Sequence, residues 1–345
     1  MRLKTSLGIA LGTALGTLVA AKALRARRAI ELAGKTVVIF GGSRGLGLAM
    51  AREFSSAGAH VVLTARDEQE LERAAADIEG QGGSVTTIAC DVTDRGQIER
   101  AIGRIVHDRG GIDVLVNNAG IIQVGPLEHM TVEDFEKAMA THFWGPLFTI
   151  LAALPHMRDR GARRIVNISS IGGKIAVPHL LPYSASKFAL TGLSEGLRVE
   201  LAGQGFAVTT VCPGLMRTGS TYNAMFKGQH RQEFAWFHLS NAIPGVSMSA
   251  ARAARRIVDA CRHGDPEVIL TPGAQLAVLA NGISPSTTAR LLTLANHFLP
   301  GASHQEGDRS HAGWQSVSRY VPSMVTRLAD RATVENNELP DASTS

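Results

Sequence analysis

Residues Thr36 to Gly47, with the sequence TVVIFGGSRGLG, join an apolar run to a glycine-rich turn. The run over residues 36–40 is typical of a buried strand, and a helical pattern over residues 46–56 follows the glycines. Glycine permits a tight turn and a close approach of the backbone, and the start of a helix offers free amides and a positive dipole end to a pyrophosphate. A lone glycine motif is more often a simple turn, but strand, glycines and helix in this order predict a dinucleotide-binding site.

Strand-like and helical runs alternate along most of the chain, which predicts parallel βαβ units. The strand-like runs are nearly continuous in apolar residues, so both faces of the sheet are expected to be buried. The predicted fold class is α/β: a doubly wound parallel sheet (Rossmann fold) of about seven strands in a single domain. Right-handed crossovers then place the carboxyl ends of the strands at one edge. We predict strands over residues 36–40, 60–64, 85–89, 114–117, 164–169, 207–212 and 268–270, and helices over residues 46–56, 68–79, 97–107, 132–140, 146–160, 184–201 and 250–262.

Tyr183 and Lys187 are four positions apart in a predicted helix, and Ser170 follows the apolar run over residues 165–169. Positions four apart share one helix face, so the ammonium is expected close to the phenol. A nearby positive charge lowers a phenol pKa that is otherwise about 10, and such a tyrosine acts as a general acid or base. Ser170 would hold a substrate oxygen beside it. A Tyr-x-x-x-Lys pair alone is more often a half-buried tyrosine beside a solvated lysine, so the pair gains meaning only from its surroundings.

With these motifs in order, residues 33–272 resemble the short-chain dehydrogenase/reductase family. The resemblance implies a nicotinamide cofactor and hydride transfer to or from a carbonyl carbon. It also implies that Ser170 donates a hydrogen bond to the substrate carbonyl, that Tyr183 delivers the proton, and that Lys187 lowers the tyrosine pKa and binds the nicotinamide ribose. The motifs that carry it are the Gly41 to Gly47 turn, Asp91-Val92, Asn117-Asn118-Ala119-Gly120, Ser170, Tyr183 with Lys187, and Pro213-Gly214 followed by Thr218.

The resemblance further assigns cofactor contacts to residues at the carboxyl ends of the strands. Two alternatives drawn from the residues stay open: Asp91 caps the helix that follows it, and Pro213-Gly214 is an ordinary turn after a strand. Asn117 is expected to hold neighbouring strands together. The predicted cofactor residues are Gly41, Ser43, Arg44, Gly45, Leu46 and Gly47 in the turn, Arg66, Asp91 and Val92, then Asn118, Ala119 and Gly120, Tyr183 and Lys187, and Pro213, Gly214 and Thr218.

The end of the second predicted strand bears on the choice of cofactor. An acidic side chain there binds the ribose hydroxyls and repels a phosphate. This chain has Ala65-Arg66 instead, and Arg66, helped by Arg44, offers a planar cation to a phosphate. The sequence therefore favours NADP(H) over NAD(H). Asp67 is one position further and provides the opposing interpretation, since it would bind the ribose directly.

Two positions depart from the family pattern. His142 stands where the family commonly has an asparagine that holds a water linking the lysine to solvent. An imidazole also donates and accepts hydrogen bonds, so His142 is a candidate for the catalytic proton relay, with plain space-filling as the alternative. Phe40 replaces a threonine that is structural in the family, which leaves the chemistry unaffected.

The 345-residue chain carries a net charge of +5, 45% hydrophobic and 19% charged residues. An almost uncharged run over residues 5–21 lies between basic residues, and we interpret it as a membrane anchor with the catalytic domain facing the cytoplasm. A buried soluble helix and a cleaved signal peptide are the alternatives. The basic residues cluster at this run, so no nucleic-acid partner is expected. Three isolated cysteines and scattered histidines predict neither disulfides nor a metal site.

The carboxyl-terminal part lies beyond the family pattern. We divide the chain into the anchor and a basic linker (1–32), the catalytic domain (33–272), an apolar extension (273–300) and a polar, partly disordered tail (301–345). The extension is too short to span a bilayer, and we expect it to dock on the core, with an interfacial position or a cover over the substrate mouth as alternatives. Within the tail, residues 314–331 are expected to form one amphipathic helix and the last dozen residues to be disordered.

The substrate lid is expected over residues 215–246, where Met, Phe, Tyr and Trp side chains suit a lipophilic carbonyl or alcohol. Two other functions are compatible with the fold: a membrane-tethered dinucleotide-binding scaffold without catalysis, and a sugar-nucleotide epimerase. The second usually has a larger substrate domain at its carboxyl end than this chain. The helix over residues 184–201 is a candidate for pairing subunits in a homo-oligomer, as in relatives.

Overall fold

The structure, a computed structural model, describes residues 20, 22–242, 247–303, 307–317 and 330–338. A parallel sheet of seven strands lies at its centre: β1 (Thr36–Phe40), β2 (His60–Ala65), β3 (Ser84–Ala89), β4 (Val114–Asn117), β5 (Arg164–Ile168), β6 (Ala207–Pro213) and β7 (Glu267–Leu270). Their order is β3-β2-β1-β4-β5-β6-β7, and every neighbouring pair is parallel. The order reverses between β1 and β4, where open α/β sheets form a ligand crevice. The predicted α/β fold, a doubly wound sheet of seven strands, is confirmed.

Helices connect the strands and cover both faces of the sheet. All fourteen elements predicted between residues 36 and 270 are present, and their ends are shifted by at most three residues. The helices are α1 (Gly45–Ser56), α2 (Glu68–Gly80), α3 (Arg95–Arg109), α4 (Val132–Met139), α5 (Gly145–Met157), α6 (Leu181–Ala202), α7 (Ser220–Asn223), α8 (His230–Ala242), α9 (Ala250–His263), α10 (Pro272–Ile283) and α11 (Pro285–Asn296).

Side-chain alternation along β1 explains why the sheet is buried on both sides. Val37 and Ile39 point into one apolar cluster, together with α1 and α9, whereas Val38 and Phe40 point into a second cluster with α3 and α5. All five residues of the strand are buried. A central parallel strand covered by helices on two faces requires an uninterrupted apolar run, which is what the sequence has here.

The apolar extension differs from the expectation that it docks on the core. Only Ala274 is buried in α10, and α11 has no buried residue. A weak tether exists, since Asn281 Nδ2 donates to the Lys174 carbonyl at 3.4 Å. The large apolar side chains instead face outward, with exposed fractions between 57% and 81% at Leu276, Leu279, Ile283, Leu291, Leu294 and Phe298.

Parts of the predicted polar tail pack on the rest of the chain. The short strand His311–Ala312 pairs antiparallel with Met225–Phe226, which in turn pairs with Gln123–Val124. Residues 330–338, which include part of the stretch expected to be disordered, pack against the glycine turn through hydrogen bonds described below. The helix predicted over residues 314–331 lies largely outside the described residues; within them, Gly313–Ser316 is a 3₁₀ turn.

The predicted anchor over residues 5–21 lies outside the described residues except for residue 20. Among the residues that are described, no helix has both the length and the apolar character that crossing a bilayer requires. Ion pairs fix the chain next to that segment. Arg25 donates to Asp259, and its Nε and Nη2 donate to Asp265 at 2.9 and 2.8 Å.

Candidate active site

Ser170, Tyr183 and Lys187 meet at the carboxyl end of β5. Ser170 follows that strand, and its Oγ accepts a hydrogen bond from the Gly172 amide at 3.0 Å. Tyr183 and Lys187 lie one turn apart on α6, with Lys187 Nζ 5.7 Å from the centre of the tyrosine ring. Tyr183 Cε1 and Ser170 Oγ lie close together, since they are 3.2 and 3.5 Å from the position that a Cβ on Gly172 would take. The structure therefore brings the three predicted catalytic side chains into one site.

Burial shifts the pKa of both ionisable side chains in this site. Burial raises the pKa of Tyr183 above its usual value, and the hydrogen bond to Ser170 offsets part of the rise. Burial also lowers the pKa of Lys187 to about 7, and its Nζ donates to the Ile168 carbonyl at 2.8 Å. Burial is the largest influence on the pKa of Tyr183 in this arrangement, and the lowering of that pKa by Lys187 stays a prediction.

His142 lies in a π-helical turn, Ala140–Trp144, and is fully buried. Its Nε2 accepts from the Ile121 amide at 3.1 Å, so Nδ1 carries the proton and donates to Ser186 Oγ at 2.7 Å. Burial and, second, the charge of Lys187 lower the pKa of His142 well below its usual value. Both ring nitrogens thus have partners within the protein, and the role of His142 in a proton relay stays a prediction. The geometry makes His142 a brace between the loop after β4 and the catalytic helix α6.

A buried polar network, which the sequence analysis missed, fixes α6 against the sheet. Asn117 Nδ2 donates to Asn167 Oδ1 at 2.9 Å, which joins β4 to β5 as expected for Asn117. Asn167 Nδ2 donates in turn to Ser194 Oγ on α6 at 3.0 Å, and Thr210 on β6 donates to the same oxygen at 2.8 Å. Single polar residues inside apolar strands were the available signal, since a buried polar group needs a partner.

The glycine turn after β1 is packed too tightly for side chains. A Cβ on Gly41 would lie 2.6 Å from the Ala119 backbone, and one on Gly47 would lie 1.9 Å from the Gly41 carbonyl oxygen. Gly41 also has a φ of +80°, a region that favours glycine. Asn118 Nδ2 closes the turn by donating to the Gly41 carbonyl at 2.7 Å. Helix α1 starts at Gly45 without a side-chain cap, so its first amides need an oxygen acceptor from elsewhere, which fits a dinucleotide pyrophosphate.

The residues predicted to select the cofactor lie together at the ends of β1 and β2. Arg66 is 69% exposed at its side chain and lies 4.0 Å from the Asp91 carboxylate. Arg44 donates to Glu70 at 2.7 Å, and Ser43 Oγ donates to the other oxygen of Glu70 at 2.8 Å. Glu70 was missed from the sequence, because it lies inside a predicted helix rather than at a strand end.

Two acidic residues near this end have local partners. Asp67 accepts from the Glu70 amide at 2.9 Å and so caps α2, in contrast to a direct role at the ribose. Asp91 Oδ1 accepts from the amide and the hydroxyl of Thr93, each at 2.8 Å. The cap of α3 is Asp94, so the alternative that Asp91 caps the next helix is wrong.

The remaining predicted cofactor residues lie at or just after the carboxyl ends of β1, β3, β4 and β6. Leu46 and Val92 are buried, and a Cβ on Gly120 would lie 3.2 Å from His142 Nε2. Pro213 ends β6, and Gly214 allows a close approach, because a Cβ there would lie 2.5 Å from Thr271 Oγ1. Thr218 Oγ1 donates to Ser220 Oγ at 2.9 Å.

An apolar cluster stands next to Tyr183 on the side of the predicted lid. Its buried members include Phe226, Phe234 and Phe237, and Tyr183 and Trp236 are among the partly buried residues packed against it. The phenylalanines therefore pack the lid itself. Near them, the sequence analysis missed a hydrogen bond between His179 Nδ1 and Glu233 at 2.8 Å. Glu233 also accepts from Trp236 at 2.6 Å.

The comparison with known proteins settles the family. The family model described as short chain dehydrogenase matches residues 35–226. This chain belongs to the short-chain dehydrogenase family. It is an oxidoreductase that acts on alcohol and carbonyl groups, and its fold binds a nicotinamide dinucleotide.

Relatives support that assignment along most of the chain. An uncharacterised oxidoreductase of Mycobacterium tuberculosis is 32% identical over 85% of this short-chain dehydrogenase and 82% of the relative. The crystal structure of a short-chain dehydrogenase from Streptomyces avermitilis has a TM-score of 0.65 and 31% identity, covering 76% of this chain and 97% of that one. The crystal structure of a gluconate 5-dehydrogenase from Burkholderia cenocepacia in complex with NADP and tartrate has a TM-score of 0.62 and 27% identity. The match covers 74% of this chain and 99% of that one.

Proposed function

We propose that this short-chain dehydrogenase is an NADP(H)-dependent enzyme that interconverts a carbonyl and an alcohol on a lipophilic substrate. The observation that carries the proposal is the site itself: Ser170, Tyr183 and Lys187 lie together at the carboxyl edge of the sheet, beside a partly apolar lid. The glycine turn and the α1 N-terminus lie at the same edge, as the bound dinucleotide requires.

The side chains divide the chemistry between them. The cofactor, when bound, supplies or accepts the hydride. Ser170 donates a hydrogen bond to the substrate carbonyl and orients it. Tyr183 transfers its proton to the developing alkoxide, and its raised pKa keeps the hydroxyl protonated at neutral pH, ready to act as the acid in the reductive direction. Lys187 binds the nicotinamide ribose and, where protonated, restores the proton that Tyr183 gives up.

The preference for NADP(H) rests on the adenosine end of the site. Arg66 is largely exposed, and its guanidinium lies 4.0 Å from the Asp91 carboxylate, so it is available to a ribose phosphate. Asp67, the residue that opposed this interpretation, is engaged as a helix cap. Arg44 provides a second cation, although Glu70 shares it.

The lipophilic substrate is inferred from the lid next to Tyr183. Ile122, Val177, Tyr222 and Trp236 are partly buried hydrophobic residues packed on the same apolar cluster as the catalytic tyrosine. Partly buried aromatic and aliphatic side chains of this kind provide the contact area that an apolar ligand needs.

We infer membrane association through residues 1–28, with the catalytic domain on the cytoplasmic side. Arg25, which follows the apolar segment, lines the same cleft as Gln275 of α10. The exposed apolar side chains of α10 and α11 therefore belong to the part of the molecule next to the proposed anchor, which supports contact with a membrane there. Deleting residues 1–21 leaves the ion pair of Arg25 with Asp265 in place. We expect this deletion to release the protein from sedimented vesicles; unchanged sedimentation would refute the anchor. Protection of the domain from protease added outside intact cells tests its cytoplasmic orientation.

We also infer a homo-oligomer that pairs through α5 and α6. Exposed apolar side chains lie on this surface: Leu151 at 56%, Phe188 at 43% and Val199 at 74%. Phe188→Glu is expected to lower the mass measured by light scattering, whereas Leu127→Glu, a change at a residue 60% exposed outside these two helices, is not. A monomeric mass for the unaltered protein would end this proposal.

The decisive experiment is a screen of NADPH and NADH oxidation over lipophilic aldehydes and ketones in detergent, with polyol-derived ketones as the hydrophilic set. We expect a lower KM for NADPH and higher kcat/KM for the lipophilic set. A preference for NADH would overturn the cofactor choice, and better turnover of the hydrophilic set would overturn the substrate class. Cofactor binding without turnover on any compound would favour the non-catalytic scaffold.

A further inference from the structure

We propose that the carboxyl-terminal residues 330–338, called the tail segment here, occupy the phosphate part of the cofactor site, so that the dinucleotide must displace them to bind. The inference rests on the glycine turn as the dinucleotide site of this family; it does not depend on the proposed substrate or on the choice between NADP(H) and NAD(H). It makes the enzyme's own tail a determinant of cofactor affinity.

The first contact is with the start of α1. The Gly45 amide donates to the Asn336 carbonyl oxygen at 2.8 Å. Gly45 is the first residue of α1, and this helix has no side-chain cap. An amide at this place is the kind of donor that binds a pyrophosphate oxygen in dinucleotide sites. A backbone carbonyl therefore occupies a donor that the cofactor needs.

The next residue fastens the tail segment to the turn. Asn337 Nδ2 donates to the Ser43 carbonyl at 3.0 Å and to the Glu70 carbonyl at 3.1 Å. On the other side of its amide, Asn337 Oδ1 accepts from Arg73 at 2.9 Å. One side chain thus satisfies three groups around the turn, which is more than a chance surface contact provides.

The Glu338 carboxylate closes the site from the opposite side. It accepts from Asn223 Nδ2 at 3.3 Å and lies against the Gly219 backbone. A Cβ added to Gly45 would lie 2.3 Å from Glu338 Oε1. A Cβ added to Gly219 would lie 2.5 Å from the Cβ of Glu338. Gly219 follows Thr218, one of the cofactor residues that the family resemblance implies. The carboxylate therefore bridges the two walls expected to enclose the pyrophosphate.

The tail segment and a dinucleotide exclude each other on two grounds. A pyrophosphate oxygen and the Asn336 carbonyl would compete for the same Gly45 amide. Glu338 is only 4% exposed, and its side chain fills the space between Gly45 and Gly219 that a pyrophosphate would need. Gly45 and Gly219 have no side chains that could rotate away, so the tail segment and a pyrophosphate do not fit between them together.

Competition of this kind weakens cofactor binding by a calculable factor. The apparent Kd equals the intrinsic Kd divided by the fraction of molecules in which the site is free. If the tail segment is docked in nine-tenths of the molecules, removing it tightens binding about tenfold. A partner or modification that holds the tail away would have the same effect.

The test compares two truncations and one full-length variant. Ending the chain after Glu335 removes the Asn336 carbonyl and the Glu338 carboxylate, whereas ending it after Glu338 keeps all contacts named above. Asn337→Ala in the full chain removes three hydrogen bonds without shortening it. Binding of NADPH and of NADH is measured by fluorescence without substrate, so a failed substrate proposal leaves this test intact.

We expect about tenfold tighter binding of both dinucleotides for the chain ending at Glu335, a smaller gain for Asn337→Ala, and no change for the chain ending at Glu338. We also expect residues 330–338 of the full chain to exchange amide hydrogens faster when cofactor is added. Unchanged or weaker binding by the chain ending at Glu335, with its unfolding midpoint preserved, would overturn the proposal. So would continued protection of residues 330–338 at saturating cofactor, a result that applies even if the truncated chain fails to fold.

Discussion

The two ends of the cofactor crevice are built in different ways. At the hydride end, Ser170, Tyr183 and Lys187 come from consecutive elements and are held by near neighbours such as the Ile168 carbonyl. At the phosphate end, the glycine turn is completed by residues almost 300 positions away in the chain, in Asn336 and Glu338. The first end is assembled as soon as β5 and α6 pack together. The second depends on a distant segment, and it is therefore the end at which ligands or conditions can change the occupancy of the site.

The largest expected effect concerns the hydride end alone. Tyr183→Phe removes the proton donor, so kcat is expected to fall by about 10²- to 10⁴-fold, the range typical of a general acid. Cofactor Kd is expected to stay within about twofold, since a lost general acid does not alter ground-state dinucleotide binding. Steady-state kinetics and fluorescence binding measure the two quantities. Substantial residual turnover would remove Tyr183 from its role.

His142 tests whether the hydride end is held rigidly by its neighbours. His142→Ala leaves the Ile121 amide and Ser186 without their buried partner and opens a cavity, so we expect unfolding to become easier by about 2–4 kcal/mol. Urea denaturation measures this loss, and His142→Asn is the conservative control, with a smaller loss.

The same pair of variants separates bracing from proton relay. Because the pKa of His142 is well below its usual value, the neutral ring persists throughout the working range, and the pH profile of kcat should be the same in His142→Asn and the unaltered enzyme. A limb of the profile that disappears with the histidine would support the relay role.

Arg66 tests the choice of cofactor at the phosphate end. Arg66→Ala is expected to lower the ratio of kcat/KM for NADPH to that for NADH by about tenfold, because it removes a cation that faces the ribose phosphate. Arg104→Ala, a change at another exposed arginine, is the matched control and should leave the ratio unchanged. An equal ratio in all three proteins would contradict the proposed preference.

The smallest expected effect is a pH dependence confined to the phosphate end. Burial raises the pKa of Glu338 to about 7, against the opposing effects of Arg44 and Asn223, while Glu70 adds to the rise. The docked tail thus holds a proton more tightly than the free tail, and docking strengthens as pH falls from about 7 toward the usual glutamate pKa of about 4.3. Cofactor Kd should therefore be higher at about pH 5.5 than at about pH 7.5.

Glu338→Gln provides the control for that dependence. It removes the titrating group and should flatten the profile, while any effect from ionisation of the cofactor itself remains in both proteins. A profile that is equally steep in the two proteins would show that Glu338 is not responsible.

Local sequence patterns predicted most of the fold and part of the site. Apolar runs such as residues 36–40 placed the strands, because burial on two faces leaves its mark in consecutive residues. The spacing of Tyr183 and Lys187 put them on one helix face, since that geometry follows from the helix repeat. The Glu70 contacts and the tail segment on the glycine turn were not predictable in this way, because each joins residues from different elements.

The sequence by itself determined the parallel sheet and the candidate catalytic side chains. The sheet follows from nearly continuous apolar runs that alternate with helical patterns, and the candidate pair of Tyr183 and Lys187 follows from its spacing of four residues. Only the tertiary structure decided how charged Lys187 is, that His142 braces the catalytic helix, and that Glu338 reaches the start of α1. The physical reason is that desolvation and long-range contacts depend on what surrounds a side chain in space, and the order of residues does not record those surroundings.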